Sequence, residues 1–359
     1  MKRAALLMGL LAVIAATCGT ARAGDDPPLP LCPNPAYPPS LIPLWSIISG
    51  GQFECFVGEV PLESSTTTIL TPLIAVIVRM HNSDGSIIVS DPTKPLYVNP
   101  TKDPSKNPSF SAWDATATSP IFSTHDYTLG KTKLGTLQWG EMTERASFWK
   151  YPGAKLDNWF VQLALWPFSP AVTLDVYAGD FGAMSGEPNG YYVNATIMGN
   201  FLVAQAKKTP DVLPIFVTYN IGTYTGTIDK ASNLTLGDHE PYIANGATSF
   251  YIWSSYMDPP NSRVDVLGLS HEVAEFLHDP FVTNHVFLYP APGTFKLPWK
   301  PPYTYTSCAE LLEVGDATAD RPLSEIQIPI DTSLMTYHLQ DVATASWFLQ
   351  ASPSFSVNG

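Results

Sequence analysis

The chain has 359 residues, including 34 prolines, and its formal net charge is −13. An acidic surface repels phosphate backbones and anionic lipids, which argues against nucleic acids and anionic membranes as partners. Only 14% of the residues are charged while 12% are aromatic. This composition excludes a disordered chain or a helical bundle and favours a loop-rich globular protein.

The first residues, MKRAALLMGLLAVIAATCGTARAG, have the three parts of a secretory signal peptide. Lys2 and Arg3 give a basic start, an apolar run follows, and residues 21–23 form a small-x-small cleavage site. The apolar run is too short to predict a membrane span, and no later stretch is long and apolar enough to insert. We therefore expect cleavage near Ala23, removal of residues 1–23, and a secreted or periplasmic protein.

Residues 24–60 are rich in proline and predict an extended N-terminal arm. Cys32 and Cys55 lie at its two ends, and in an oxidising compartment they are the predicted disulfide pair. Cys308 is then left over, either as a buried apolar cysteine or as an alternative partner of one of them. The remaining residues, 61–359, are expected to form one domain.

Several apolar runs in the first two thirds of the chain predict strands. TILTPLIAVIVRM is followed by the turn HNSDGS and by IIVSDP, which together predict a β-hairpin or two neighbouring strands. The runs NWFVQLALWPF, TLDVYAG and LPIFVTYNIGTYTG are also typical of strands. Between them, WGEMTERASFWK at residues 139–150 has helical character. DHEP, residues 238–241, contains a histidine and two acids, but its proline predicts a loop without a metal role.

The segment VDVLGLSHEVAEFLH, residues 264–278, is the clearest predicted helix. Asp265 is a candidate N-cap, and Pro280 ends the helix near His278 because the residue before proline avoids the α region. At about 100° per residue, the apolar side chains fall on one side of this helix. The opposite stripe carries His271, Glu272, Glu275 and His278.

The polar stripe departs by one residue from the zinc-peptidase motif H-E-x-x-H, because Glu275 occupies the place of the second histidine. His271 and Glu275 are four residues apart, so one helical turn brings them within reach of a single ion. Zinc accepts a carboxylate in place of an imidazole. Glu272 is offset from both and is predicted to act as the general base that takes a proton from the attacking water. The alternative is that this stripe is the solvated face of an ordinary amphipathic helix.

A catalytic metal site needs a third ligand, and the best candidate lies in SCAELLEVGDATAD, residues 307–320. Acidic residues recur there every three positions, and Gly315 allows a sharp bend. Glu313 is the predicted third ligand, with Asp316 steadying His271 from behind. Candidate residues for the second shell or for oxyanion stabilisation are His278, one turn along the helix, and Tyr337 and His338 near the C-terminus.

The segments SHEVAEFLHDP and LLEVGD resemble a family of largely uncharacterised secreted bacterial proteins, as does YHLQDVATASWFLQASPSFSVNG at residues 337–359. The two acidic motifs are also similar to those of the plant exordium, or phosphate-induced, proteins. The resemblance implies a zincin-like fold. It carries the metal-ligand role onto His271, Glu275 and Glu313, with Glu272 as the base, but it implies no substrate.

The expected fold class is α+β, with a twisted β-sheet packed on the motif-bearing helix. The first functional hypothesis is a secreted metal-dependent hydrolase, a zinc peptidase acting on a peptide or protein. The second is a non-catalytic extracellular or envelope protein that keeps the fold, with or without a structural ion. The third is a glycoside hydrolase that uses paired carboxylates such as Glu272 and Glu313. Zn²⁺ is the expected ion, and the carboxylate-rich ligand set also suits Mn²⁺ or Ca²⁺.

Overall fold

The structure is a computed structural model, and it describes the following residues: 38–49, 52–60, 66–96, 110–129, 132–148, 160–166, 170–187, 189–227, 232–258, 261, 263–290, 308–318, 322–330 and 333–344. The predicted signal peptide, Cys32 and most of the C-terminal segment 337–359 lie outside them. Among the described residues, no helix combines the length and the apolar character needed to cross a membrane.

The described residues form a mixed α+β fold, which confirms the expected fold class. Its helices are α1 (Ala112–Thr118), α2 (Trp139–Phe148), α3 (Ala195–Ala206) and α4 (Leu267–His278). Its strands are β1 (Leu44–Ser49), β2 (Gln52–Val57), β3 (Thr66–His81), β4 (Ile87–Ser90), β5 (His125–Leu129), β6 (Thr132–Leu137), β7 (Phe160–Trp166), β8 (Val172–Tyr177), β9 (Phe181–Ala183), β10 (Tyr191–Asn194), β11 (Ile215–Tyr219), β12 (Ile221–Thr225), β13 (Ser232–Thr235), β14 (Gly237–Ala244), β15 (Ala247–Tyr256), β16 (His285–Pro290), β17 (Cys308–Leu311), β18 (Pro322–Ile330) and β19 (Ser333–Gln340).

The main sheet is a curled mixed sheet whose strand order is β14-β15-β11-β3-β4. Its spine is the long strand β3, which pairs in parallel with β7 through its first half and with β8 through its second half. The predicted hairpin is confirmed, because β3 and β4 pair antiparallel around a turn in which Gly85 has a φ of +85°. At the opposite edge, β14 pairs antiparallel with β15, whereas β11 and β15 are parallel. The sheet therefore draws strands from both halves of the chain, not only from the N-terminal half.

Alternate residues of the central strands enter two different cores. Ile215 and Val217 of β11 belong to a core with α2 and α4, whereas Phe216 between them belongs to a second core with α3. Because successive side chains of a strand point to opposite faces, the helices cover both faces of the sheet. A smaller sheet, β13-β12-β10-β9, adjoins it. Strands buried on both faces need the continuous apolar runs that the sequence shows.

The described part of the N-terminal region is a hairpin built into the core rather than an extended arm. Strands β1 and β2 pair antiparallel, and Trp45, Cys55 and Phe56 are buried, with the rings of Trp45 and Phe56 stacked at 4.7 Å. Burial of these apolar side chains outweighs the extended preference of the flanking prolines. The structure lends no support to the pairing of Cys32 with Cys55, which stays a prediction because Cys32 is not described.

Helix α4 ends at His278 as predicted, but its start differs from the prediction. The N-cap is Val266, and Asp265 has a φ of +48° instead of an N-cap conformation. The carboxylate of Asp265 accepts a hydrogen bond from the backbone N–H of His338 at 3.0 Å and contacts the His338 ring at 2.6 Å. The side chain of Asp265, which the local sequence predicts to cap the helix, is therefore bonded to the distant His338 instead.

Candidate metal centre

The polar stripe of α4 is buried, so it is not the solvated face of an amphipathic helix. The exposed fractions of Glu272, Glu275 and His278 are 7%, 3% and 0%. The helix packs against α2, β14, β15 and β19, which surround it. Trp139 of α2 fixes one of these contacts by donating its indole N–H to the carbonyl of Ser270 at 2.8 Å. Buried charged groups need hydrogen-bonding or charged partners. The partners of this helix's polar side chains lie on α2, on β14 and in the segment 308–318.

His271, Glu275 and Asp316 form the first group of potential ligands, with one donor atom of each lying within 4.8 Å of the others. The Nε2 atom of His271 is 3.0 Å from Oε2 of Glu275 and 3.7 Å from Oδ1 of Asp316. The helical spacing of four residues thus brings His271 and Glu275 together as expected. Asp316, predicted to support His271, instead lies where it could be a ligand itself.

The segment around Gly315 fits closely against α4. The backbone N–H groups of Gly315 and Asp316 donate to Oε1 of Glu275 at 3.1 and 3.0 Å, which fixes the orientation of this carboxylate. A Cβ atom at position 315 would lie only 2.4 Å from Nδ1 of His271. Glycine is therefore required here for close approach, and this approach places Asp316 beside His271.

Glu313 belongs to a second group, which consists of His239, Glu275 and Glu313. Its carboxyl is hydrogen-bonded to that of Glu275. Its Oε1 atom is buried and has no hydrogen-bond partner among the described residues. The predicted set of His271, Glu275 and Glu313 is thus divided between two groups that share Glu275. An unsatisfied buried carboxylate oxygen is an available ligand atom.

His239 is the residue that the sequence interpretation missed. The DHEP segment is part of β14, not a loop, and Pro241 is accommodated because β14 is an edge strand of the main sheet. The His239 ring is 97% buried, with Nδ1 3.1 Å from Oε2 of Glu272 and Nε2 3.2 Å from the carbonyl of Asp279. The sequence signal for a strand was the Asn-Gly pair at residues 245–246 between the apolar runs YIA and ATSFYIW, which is typical of a β-hairpin.

Glu272 lies between the two histidines. Its Oε2 faces Nδ1 of His239, and its Oε1 is 3.9 Å from Nε2 of His271. A Cβ atom at position 237 would lie 2.6 Å from Cγ and Oε1 of Glu272, so Gly237 leaves the space that this carboxylate occupies. The motif predicts that Glu272 lies beside the ligands without being one of them. In the structure Glu272 belongs to neither group of potential ligands and is adjacent to both.

This cluster places four carboxyl groups beside two imidazoles, and each shifts the pKa of its neighbours. Burial lowers the pKa of both histidines, but the neighbouring carboxylates outweigh it and raise the pKa to about 10 for His271 and about 9 for His239. Burial raises the pKa of Glu275, but His271 lowers it to about 2. Burial and the charge of Glu275 raise the pKa of Asp316 to about 7, and that of Glu313 well above its usual value. A cation among these carboxyl groups would favour their ionised forms.

The other three candidate residues make contacts within the surrounding core. His278 uses Nδ1 for the carbonyl of Ala274, at 2.7 Å, and Nε2 for Ser147, at 2.8 Å. Tyr337 is fully buried and donates its hydroxyl to the carbonyl of Ala115, and His338 pairs with Asp265. None of the three belongs to a described group of potential ligands. These contacts favour a structural role for them over a catalytic one.

We expect the protein to lose stability as the pH falls through the titration of His278. Burial disfavours the imidazolium and lowers the pKa of His278 from 6.5 to about 4. Between these values the unfolded chain binds more protons than the folded one. The stabilisation is therefore complete above pH 6.5 and is lost as the pH falls toward 4, by about 3 kcal/mol.

Urea unfolding at several pH values between about 7.5 and 4 would measure this loss. The control is His278→Gln, which lacks the titrating ring but keeps a polar side chain for Ser147. The free energy of unfolding should fall more steeply with decreasing pH in the wild type than in the variant. Equal slopes would contradict the assignment, because the carboxyl groups that titrate in the same range are common to both proteins.

No protein-family model, curated protein or solved structure matches this chain. The resemblance to secreted bacterial and exordium proteins therefore stays a prediction, and the functional argument depends on the geometry of the cluster.

Proposed function

We propose that this chain is a secreted or periplasmic metal-dependent hydrolase that cleaves peptides. The observation that carries the proposal is the convergence of His271, Glu275 and Asp316 within 4.8 Å, with Glu272 beside them. This is a histidine and two carboxylates as ligands, next to a further carboxylate that belongs to neither set. Three protein ligands would leave a position for water or substrate, which a catalytic metal site requires.

The residues present fit a divalent cation. The imidazole and carboxylate donors are those of zinc sites, and the buried Oε1 of Glu313 supplies a further oxygen without a partner among the described residues. Zn²⁺ is the first candidate, and the predominance of carboxylates also suits Mn²⁺ or Ca²⁺. A bound divalent cation would polarise the scissile carbonyl and make water a stronger nucleophile at neutral pH.

Glu272 would act as the general base in this proposal. Its carboxylate is next to His271 but is held from the other side by His239, so it can take a proton from the attacking water and pass it to the leaving amine. The His239 hydrogen bond and the close packing of Gly237 restrict its side chain to one position. A restricted carboxylate transfers a proton without first having to be reoriented.

Substrate could approach from the side of Asp316. The side chain of Asp316 is 32% exposed and that of His271 is 18% exposed, whereas Glu275 is only 4% exposed. The motif helix α4 packs against β14 and β15 at the edge of the main sheet, and this packing supports the proposal of a zincin-like fold.

The proposal is tested by metal analysis combined with hydrolysis of a fluorogenic peptide mixture. We expect the purified protein to contain at least one divalent transition-metal ion per chain and to cleave peptides. A chelator should remove the ion and abolish cleavage, and added Zn²⁺ or Mn²⁺ should restore it.

The outcomes separate the three hypotheses. A chain that holds metal but cleaves no peptide would favour the non-catalytic alternative with a structural ion. A chain without metal that hydrolyses glycosides, unaffected by chelator, would favour the alternative with paired carboxylates. A chain that binds no added metal contradicts the proposed function.

A further inference from the structure

The carboxylate of Glu275 is shared by two different sets of potential ligands. One set adds His271 from the same helix and Asp316, and the other adds His239 from β14 and Glu313. Each set contains one imidazole and two carboxylates. The two sets are thus chemically equivalent and meet at a single residue, which is 97% buried.

The second set is as well organised for an ion as the first. His239 is held by the carbonyl of Asp279 at Nε2, and Nδ1 faces Oε2 of Glu272 at 3.1 Å, so an ion bound at Nδ1 would replace this hydrogen bond. Metal-binding histidines typically donate their other ring N–H to a carbonyl or carboxylate in this way, which fixes the tautomer and the direction of the free nitrogen. Asp279 belongs to the turn after α4, so the same helix orients ligands of both sets.

Glu313 provides an independent sign that something is missing from the second set. Its Oε1 atom is fully buried without a hydrogen-bond partner among the described residues, and its carboxyl contacts that of Glu275. Leaving a buried carboxyl oxygen unpaired is unfavourable, because it has lost its hydrogen bonds to water without gaining others. A cation coordinated by both carboxylates would remove this cost, whereas an ion held only by His271, Glu275 and Asp316 would not.

The negative charge of the cluster also favours the binding of more than one cation. Glu272, Glu275, Glu313 and Asp316 carry four negative charges when ionised, and His239 and His271 are neutral when they act as ligands. One divalent cation would leave two of these four charges uncompensated in a largely buried site that also has Asp238 and Asp279 close by, and two cations would offset all four. Uncompensated buried charge is strongly disfavoured.

We propose that the site binds two divalent cations, one held by His271, Glu275 and Asp316 and the other by His239, Glu275 and Glu313, with Glu275 shared between them. This inference rests on the proposed function and extends it from a single-metal to a two-metal centre. In two-metal hydrolases the ions are about 3.5–4 Å apart and together stabilise the attacking and leaving oxygens. Glu272, with one oxygen toward each histidine, lies between the two positions.

The test is the number of Mn²⁺ ions bound by the full chain after chelator treatment and reloading, together with their electron paramagnetic resonance spectrum. We expect two ions per wild-type chain and the spectrum of an exchange-coupled pair. Glu313→Gln and Asp316→Asn should each retain one ion and give the six-line spectrum of isolated Mn²⁺. Both substitutions nearly preserve side-chain shape, and near-ultraviolet circular dichroism would verify folding.

Glu240→Gln is the matched control, because Glu240 is an exposed acid one residue from His239 on β14. This variant should bind two ions like the wild type. A wild-type chain that saturates at one Mn²⁺ overturns the second position and leaves the proposed hydrolase function standing. Loss of both ions in either Glu313→Gln or Asp316→Asn would indicate one common site and also overturns the pair. A wild-type chain that binds no ion overturns both proposals.

Discussion

Replacing Glu272 with glutamine is expected to lower peptide hydrolysis by about 10²–10⁴-fold while leaving the bound metal in place. Glutamine has nearly the same shape as glutamate, and its amide oxygen can still accept a hydrogen bond from His239. It cannot accept a proton at neutral pH. The predicted loss is therefore in the rate of the chemical step, and the affinity for metal and for substrate should change little.

Steady-state kinetics and metal analysis of the same preparations would check this expectation. Glu240→Gln again serves as the control, since it removes an exposed carboxylate from the adjacent strand and should leave kcat unchanged. Retention of near wild-type hydrolysis by Glu272→Gln would show that another group acts as the base. Loss of metal together with activity would instead show that Glu272 is itself a ligand, as its position between His239 and His271 permits.

Replacing Glu275 with alanine is expected to have the larger effect on metal binding, lowering affinity by more than about 100-fold. Changing a residue that only supports a ligand already costs about 10–100-fold, and Glu275 is the one residue common to both groups of potential ligands. Its removal should therefore empty the whole site. The variant should lose hydrolysis as a consequence of losing metal, unlike Glu272→Gln.

Competition with a fluorescent chelator would measure the affinity, and Glu240→Ala provides the matched control. Alanine also leaves the N–H groups of Gly315 and Asp316 without their acceptor, which is expected to cost about 1–3 kcal/mol each. Glu275→Gln keeps an acceptor oxygen and separates the loss of metal from this loss of stability. Wild-type affinity in both Glu275 variants would rule out the proposed coordination.

The helical part of the site could be predicted from the sequence. The apolar periodicity, the stop imposed by Pro280 and the spacing of four between His271 and Glu275 depend on local geometry, and each agrees with the structure. The start of the helix could not be predicted, because Asp265 is drawn to His338, 73 residues away. Local propensity is reliable only where no distant partner competes for the side chain.

The residues that complete the site could not be identified from spacing alone. Glu313 and Asp316 both follow from the acidic repeat, but Asp316 has exchanged with Glu313 as the partner of His271 and Glu275, and Glu313 groups with His239. That exchange depends on how closely Gly315 approaches His271, a tertiary contact without a sequence signature. The sequence does not predict a role for His239, because the nearby Pro241 usually ends regular structure. Only the edge position of β14 makes this proline acceptable in a strand.

The pairing of β14 with β15 makes the site sensitive to chain length. His239 lies opposite Ile252, with Asp238 opposite Trp253 and Glu240 opposite Tyr251. Sliding β14 by one residue would reverse every side chain, turn His239 outward and replace it with an acid. A single-residue insertion or deletion between His239 and the turn at Asn245 and Gly246 could therefore leave the sheet intact while removing an imidazole from the cluster. Homologous chains that keep this chemistry should tolerate substitutions there far better than changes of length.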